Sequence, residues 1–160
     1  MSDFALKLDT PNVIHVYPTR IASFSLTQEI YTPYTQLSIV GYASISLDTL
    51  KDVFRVRMEL NGQEVHCGTV EQLRMTRENG AVRFHVVSKG MTAMLLQNQL
   101  APKLYTGMSL DRLMTEFHTL PSQITWERST DTSNYLFVKE GCSMWDGIAN
   151  LTYKLHQRYP

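Results

Sequence analysis

The sequence predicts an α+β fold: an antiparallel β meander or small barrel over residues 1–90, then a smaller, helix-rich α+β unit over residues 91–160. Three observations point to it. Before residue 90, apolar and polar residues alternate at period two between turn residues. After Gly90, apolar residues recur at helical spacing behind serines placed to cap helices. A chain of 160 residues, 43% hydrophobic and 19% charged, also carries enough apolar surface to bury a core.

The opening MSDFALKLDTPNVIHVYPTR contains acids, two prolines and no long apolar run, which fits neither a secretory signal nor a membrane anchor. Strand-like sequence begins at Ile21. In IASFSLTQEI, Ala22, Phe24, Leu26 and Ile30 share one face and Ser23, Ser25, Thr27 and Glu29 the other. QLSIVGYASISL follows the turn-like TPYT and continues as strand. In VFRVRMEL, Phe54, Val56, Met58 and Leu60 point one way and Arg55, Arg57 and Glu59 the other. Asn61-Gly62 comes next, a pair that tolerates the positive φ angles of a tight hairpin. QEVHCGTVEQLRMT then returns antiparallel, and Glu78-Asn79-Gly80 turns into AVRFHVVSK, where Val82, Phe84 and Val86 alternate with Arg83 and His85. Strands with one apolar and one polar side make a curled sheet with a wet face.

Beyond Gly90, TAMLLQNQL reads as a short helix with Leu95, Leu96 and Leu100 on its apolar side, stopped by Pro102. Ser109 caps SLDRLMTEF, with Asp111 in the positive first turn and Leu110, Leu113, Met114 and Phe117 as a stripe that ends before Pro121. Ile124 and Trp126, then Tyr135 to Val138, predict two short strands around the polar loop ERSTDTSN. The last helix runs from Ser143 to about Arg158, with Met144, Ile148, Leu151 and Leu155 on one face. No repeat interrupts this order, and the change near Lys89 and Gly90 is one of secondary structure, without a linker, which predicts two packed units.

Fifteen basic residues balance fifteen acidic ones, so no overall field draws a phosphate backbone, and sequence-specific nucleic-acid binding is not expected. No apolar run reaches the length of a membrane span, so no membrane insertion is expected. Two cysteines, Cys67 and Cys142, form no disulfide framework and fit a protein made in a reducing cytoplasm. Metal and nucleotide motifs are missing from the sequence, so no cofactor or metal is expected. His66 and Cys67 are neighbours on a strand and point to opposite faces, which keeps them off one metal. Asp48 with Asp52, and Glu127 with Asp131, lie in polar loops as solvated charge. Arg55, Arg57 and Arg83 would make a basic stripe, but Glu59, Glu64 and Glu71 interrupt it.

GCSMWDG, residues 141–147, places Ser143 at a strand-to-helix turn, where a hydrolase carries its nucleophile. Such an elbow needs small residues on both sides of the serine. Gly141 is in place, but the position two after Ser143 holds Trp145. The spacing from Ser143 to Asp146 instead makes a capping box, and Gly141, Ser143, Trp145 and Asp146 are expected to act as turn, cap and anchor of the last helix. A Cys142 nucleophile would need His118 or His156 as its base. A small hydrolase using Ser143 or Cys142 stays open as the alternative function.

Two segments resemble phage tail baseplate hub proteins. SKGMTAMLLQNQLAPKLYTGMSLDRLM, residues 88–114, is similar to the stretch in which such proteins leave a first barrel and enter a helical insertion. FVKEGCSMWDGIANL, residues 137–151, is similar to their later strand, glycine, serine, tryptophan and acid opening a helix, with Phe137, Val138, Gly141, Ser143, Trp145, Asp146 and Ile148 in that order. The group is the late-control-D or Mu-like tail protein family, also similar to the N-terminal part of VgrG spikes. The resemblance implies a tail-tube-like barrel, no catalysis, and a homo-oligomer, a trimer in the family, that joins tail tube to spike. Tube, spike and tape-measure proteins are the implied partners. It also implies assembly in a bacterial cytoplasm before incorporation into a virion tail or injection particle. Family members continue past the helix that here ends in HQRYP, so residues 91–160 are expected to be the incomplete start of a second barrel domain.

Overall fold

The computed structural model describes residues 4–12, 15–78, 80–116, 124–158 and 160. The chain divides into two units, Met1–Met91 and Thr92–Pro160. The first holds β1 (Phe4–Asp9), β2 (His15–Val16), β3 (Arg20–Gln28), β4 (Thr35–Ala43), a one-turn helix α1 (Leu47–Lys51), β5 (Arg55–Leu60), β6 (Gln63–Glu78) and β7 (Ala81–Gly90).

These strands form one antiparallel sheet in the order β2-β1-β5-β6-β7-β4-β3, curled into a half-barrel, so the fold is α+β as the sequence predicts. Asn61 and Gly62, at φ +53° and +76°, join β5 to β6 with Leu60 opposite Gln63. Glu78 lies opposite Ala81 at the next turn, whose Asn79 is outside the described residues. Val82, Phe84 and Val86 of β7 point into the core, where they meet Leu8, Leu37, Ile39, Val56 and Met58. Burying this many aliphatic and aromatic side chains is what offsets the entropy of ordering seven strands. Phe84 fills the space over Gly41, where a Cβ would lie 2.7 Å from the ring.

The first unit departs from the sequence reading in four places. Pairing begins at β1, with Leu6 and Leu8 buried, well before Ile21. The end of QLSIVGYASISL is not strand: Ser46 caps α1 by accepting from the Thr49 amide, and Leu50 is buried beneath it. β3 forms as expected, yet its apolar face is poorly covered. Leu26 is half-buried, Phe24 is 47% exposed, and Ile30 falls beyond the strand and is 83% exposed. β3 ends the sheet, so only one neighbouring strand shields it. Phe54, expected on one face with Val56 and Met58, precedes β5 and is exposed.

After a 3-10 turn at Met91–Ala93, the second unit holds α2 (Met94–Gln97), β8 (Leu104–Met108), α3 (Leu110–Thr115), β9 (Ser133–Phe137) and α4 (Met144–His156). α2 is shorter than expected. Leu95 and Leu100 are buried, Leu96 is exposed, and the chain is already extended at Asn98, ahead of Pro102. β9 pairs with β8 and not with Ile124–Trp126, Tyr105 lying opposite Leu136. Ile124 is buried in the core of this unit, and the Trp126 indole N–H donates to Asp111 at 2.8 Å. These two apolar residues pin a loop to α3, which accounts for their spacing without a strand. Ser109 caps α3, Leu113 and Met114 are buried, and Phe117, His118 and Pro121 lie outside the described residues.

Candidate functional site

The turn into α4 brings four sequence-selected residues together. Gly141 sits at φ +77°, a conformation that a side chain would strain. Ser143 Oγ accepts from the Asp146 amide at 3.1 Å, while the Asp146 carboxylate accepts from the Ser143 amide at 3.0 Å and from Ser143 Oγ at 2.7 Å. This is a closed capping box, and it commits the hydroxyl to a carboxylate three residues away. The Met144 amide donates to the Asn98 carbonyl and the Leu100 amide to the Cys142 carbonyl, so the segment after α2 is stitched onto the start of α4. Leu100 packs where a Cβ on Gly147 would stand, a close approach that only glycine permits. Gly147, at the wrong spacing for an elbow, thus has a packing reason. Trp145 is half-buried against the apolar core of this unit.

Among the described residues, no histidine bonds to Ser143 or Cys142. Burial, with the Asp146 carboxylate, pushes the Cys142 thiol above its ordinary value, and its Sγ donates to the Ser143 carbonyl. His156 lies against Asp131 at 3.8 Å, and His118 is outside the described residues.

A Ser–His contact that the sequence did not reveal lies in the first unit. His66 Nε2 is 2.9 Å from Ser88 Oγ and Nδ1 is 2.7 Å from Thr35 Oγ1. Both His66 and Ser88 are buried, at 2% and 0% exposure, and the third partner is a hydroxyl, not a carboxylate. A neutral ring offers one donor and one acceptor, and a hydroxyl serves either role, so this trio is a satisfied polar tie between β4, β6 and β7. Burial pushes the His66 pKa down to about 4. The geometry suits structure and gives a substrate no access.

On the polar face, Arg55 and Arg57 converge on Asp9. Arg55 Nε donates at 2.8 Å and Arg57 Nε and Nη2 at 3.0 and 2.8 Å, while His15 Nδ1 donates at 2.9 Å to the other oxygen. Burial alone would raise the Asp9 pKa, but these hydrogen bonds hold it below the ordinary carboxylate value. Arg83, the third arginine of the interrupted stripe, goes to Glu78. Asp48 pairs with Lys51 in the open. The arginines thus clamp β1 to β5.

Among the described residues, no group of three or more His, Cys, Asp or Glu is arranged to hold a metal, and no helix is long and apolar enough to cross a membrane. Exposed large apolar residues gather instead at strand margins: Tyr17, Phe24, Ile30 and Tyr31 around β3, and Leu104, Tyr135 and Phe137 on β8 and β9. These margins are the best candidate functional surface, since clustered exposed apolar groups mark contact sites.

No family model and no curated protein matches the chain. Solved structures do. A tail protein from Neisseria meningitidis MC58 aligns with a TM-score of 0.68 at 11% identity, over 93% of this chain and 44% of its own. The 43 kDa tail protein of prophage MuSo2 from Shewanella oneidensis aligns with a TM-score of 0.67 at 10% identity, over 95% of this chain and 48% of its own. A Francisella PdpA-VgrG complex aligns with a TM-score of 0.52 at 9% identity, over 86% of this chain and 23% of that one. The chain has the fold of these proteins and spans under half the length of each.

Proposed function

We propose that this chain is a structural subunit of a phage or prophage tail, or of a related contractile injection device, acting at the baseplate hub and joining tube to spike through subunit contacts. The observation that carries the reading is the fold shared with two tail proteins over 93% and 95% of the chain. The exposed apolar strand margins support it, because a subunit that works by assembly must leave such surface uncovered when alone. Residues 91–160 then form the start of a second barrel domain, with β8 and β9 as its first pair and Gly141, Ser143, Trp145 and Asp146 setting α4 against them. Tube, spike and tape-measure proteins and further copies of the chain are the partners, and the finished particle is the site of action.

Reconstitution with cognate tube and spike proteins, imaged by electron microscopy, tests the proposal. Density for the chain between tube and spike is expected, and a chain that joins neither removes the reading. A hydrolase is tested separately with activity-based probes for serine and cysteine nucleophiles. No labelling of Ser143 or Cys142 in the folded protein is expected, given the hydroxyl held by Asp146 and the thiol pushed upward.

A further inference from the structure

We infer that copies of this chain join head to tail, the turn between β3 and β4 of one copy seating on the exposed face of the β8–β9 ribbon of the next. The inference deepens the tail reading by naming a subunit contact, and it rests on that reading only for the number of copies in the ring.

The turn is built to present apolar groups. The Thr32 amide and Thr32 Oγ1 both donate to the Glu29 carbonyl at 3.2 Å, which closes a four-residue turn with Ile30 and Tyr31 at its centre. Turn centres ordinarily take glycine, proline, asparagine, aspartate or serine. Here the apex carries a β-branched and an aromatic residue, the two most exposed large apolar side chains among the described residues. A local rule broken in this way marks a functional position. The hydrogen bonds at Thr32 also fix the apex in advance, so docking it orders little new backbone. On the ribbon, Tyr105, Leu136 and Val138 are buried. The other side sets Leu104 directly opposite Phe137 and Thr106 opposite Tyr135, and Leu104, Phe137 and Tyr135 are each more than half exposed. An aliphatic and two aromatic side chains on the wet side of a two-stranded ribbon are a contact surface without its partner.

The occupant follows from charge. Glu29 is the sole charged residue between Arg20 and Asp48, and it stands exposed beside Ile30. Residues 103–108 and 133–139 of the ribbon hold two charges, Lys103 and Lys139, both basic and both exposed. α4 adds Lys154, whose Nζ lies 3.8 Å from the centroid of the Tyr135 ring. Glu140, the next residue, lies past the ribbon in the turn toward α4. An acidic turn tipped with apolar side chains thus matches an apolar face flanked by lysines, and one chain carries both, so a neighbouring copy supplies the match. Because the two surfaces differ, the contact is heterologous: each copy offers its turn to one neighbour and its face to the other, which closes as a ring where the rotation allows. The trimer of the tail reading is such a ring.

Analytical ultracentrifugation of the full chain across a concentration series, at neutral pH, tests this. Wild type is expected as a closed trimer. Ile30→Asp removes the apex of the turn and Phe137→Asp spoils the face. Both side chains are exposed, so each variant should keep the wild-type circular-dichroism melt, yet each alone should associate about tenfold or more weakly. Mixed in equal amounts, the two should form a one-to-one pair that grows no further, since one copy keeps the face and the other the turn. Glu29→Lys should also weaken the ring, and Lys139→Glu added to it should restore assembly, which reads the contact through charge even if an apolar variant folds poorly. A wild type that stays monomeric or stops at a dimer, single variants that assemble like wild type, or a mixture that forms no pair would each overturn the contact. Any of these would leave the tail reading in place, whereas a chain that forms the ring but joins neither tube nor spike would remove that reading and leave the contact.

Discussion

In the first unit, Phe84 is fully buried inside a seven-stranded sheet, and every strand except the two outermost is paired on both sides. In the second, a two-stranded ribbon of five-residue strands depends on particular side chains: Arg112 and Lys154 cover its edges, a capping box starts α4, and Leu100 rests on Gly147. The difference teaches where each unit keeps its stability. One distributes it over a long ladder and a shared apolar core, so a break at the core centre is felt by many strands. The other concentrates it in local hydrogen bonds and close approaches, as expected where two strands are marginal by themselves.

Both tryptophans, Trp126 and Trp145, belong to the second unit, so indole fluorescence follows that unit while far-ultraviolet circular dichroism weighs the sheet of the first. The largest effect is expected from Phe84→Ala, which empties the centre of the half-barrel and should cost about 3–5 kcal/mol in urea unfolding followed by circular dichroism. A loss below about 1 kcal/mol would mean that the core does not carry the first unit.

Acid should separate the units next. The folded chain holds His66 near pH 4, below the ordinary value of 6.5, so between those limits the unfolded chain binds the proton more readily. Stability of the first unit is therefore complete above about pH 6.5 and falls by up to about 3 kcal/mol as pH drops toward 4. Asp9, held below its ordinary value, extends the loss as pH falls through the carboxylate range. In the second unit, Tyr105 and Cys142 are pushed upward by burial, away from this window. Denaturation midpoints from pH 7 to 4 check the slope, and His66→Gln, which retains hydrogen-bonding partners without titrating, should flatten it.

Ser143→Ala has the smallest effect of the three. Loss of the cap should cost about 1 kcal/mol, read by tryptophan fluorescence. An unchanged midpoint would show that the capping box adds nothing to α4.

How much of this was legible depends on how far apart the interacting residues lie. The alternation of Val82, Phe84 and Val86, the Asn61-Gly62 hairpin and the serines that cap α3 and α4 are local signals, and each can be read within a few residues. β1 alternates too, Leu6 and Leu8 against Lys7 and Asp9, but its partner strand lies far along the chain and a local reading offers nothing to pair it with. β8 contains Gly107 at φ +58°, a poor strand residue, and exists because β9 lies beside it. The clamp on Asp9 and the tie at His66 draw residues from separate strands, so their charges and hydroxyls looked like an ordinary wet face or scattered polar positions. The packing role of Gly147 was hidden for the same reason, since Leu100 arrives from another segment.

The strand order also sets a timetable. β5, β6 and β7 are consecutive and joined by tight turns, so they can zip locally, whereas β4 must wait for β7 and β1 for β5. During synthesis the N-terminal strands emerge first and find their places last, because each lies next to a strand not yet made. For that interval the hairpin of β3 and β4 has the longest uncharged edge in the unit and no sheet to join. A chaperone, or a slow stretch of translation after β4, would have most to protect or to lose there, and newly made chains should be most vulnerable to aggregation just before Gly90 leaves the ribosome.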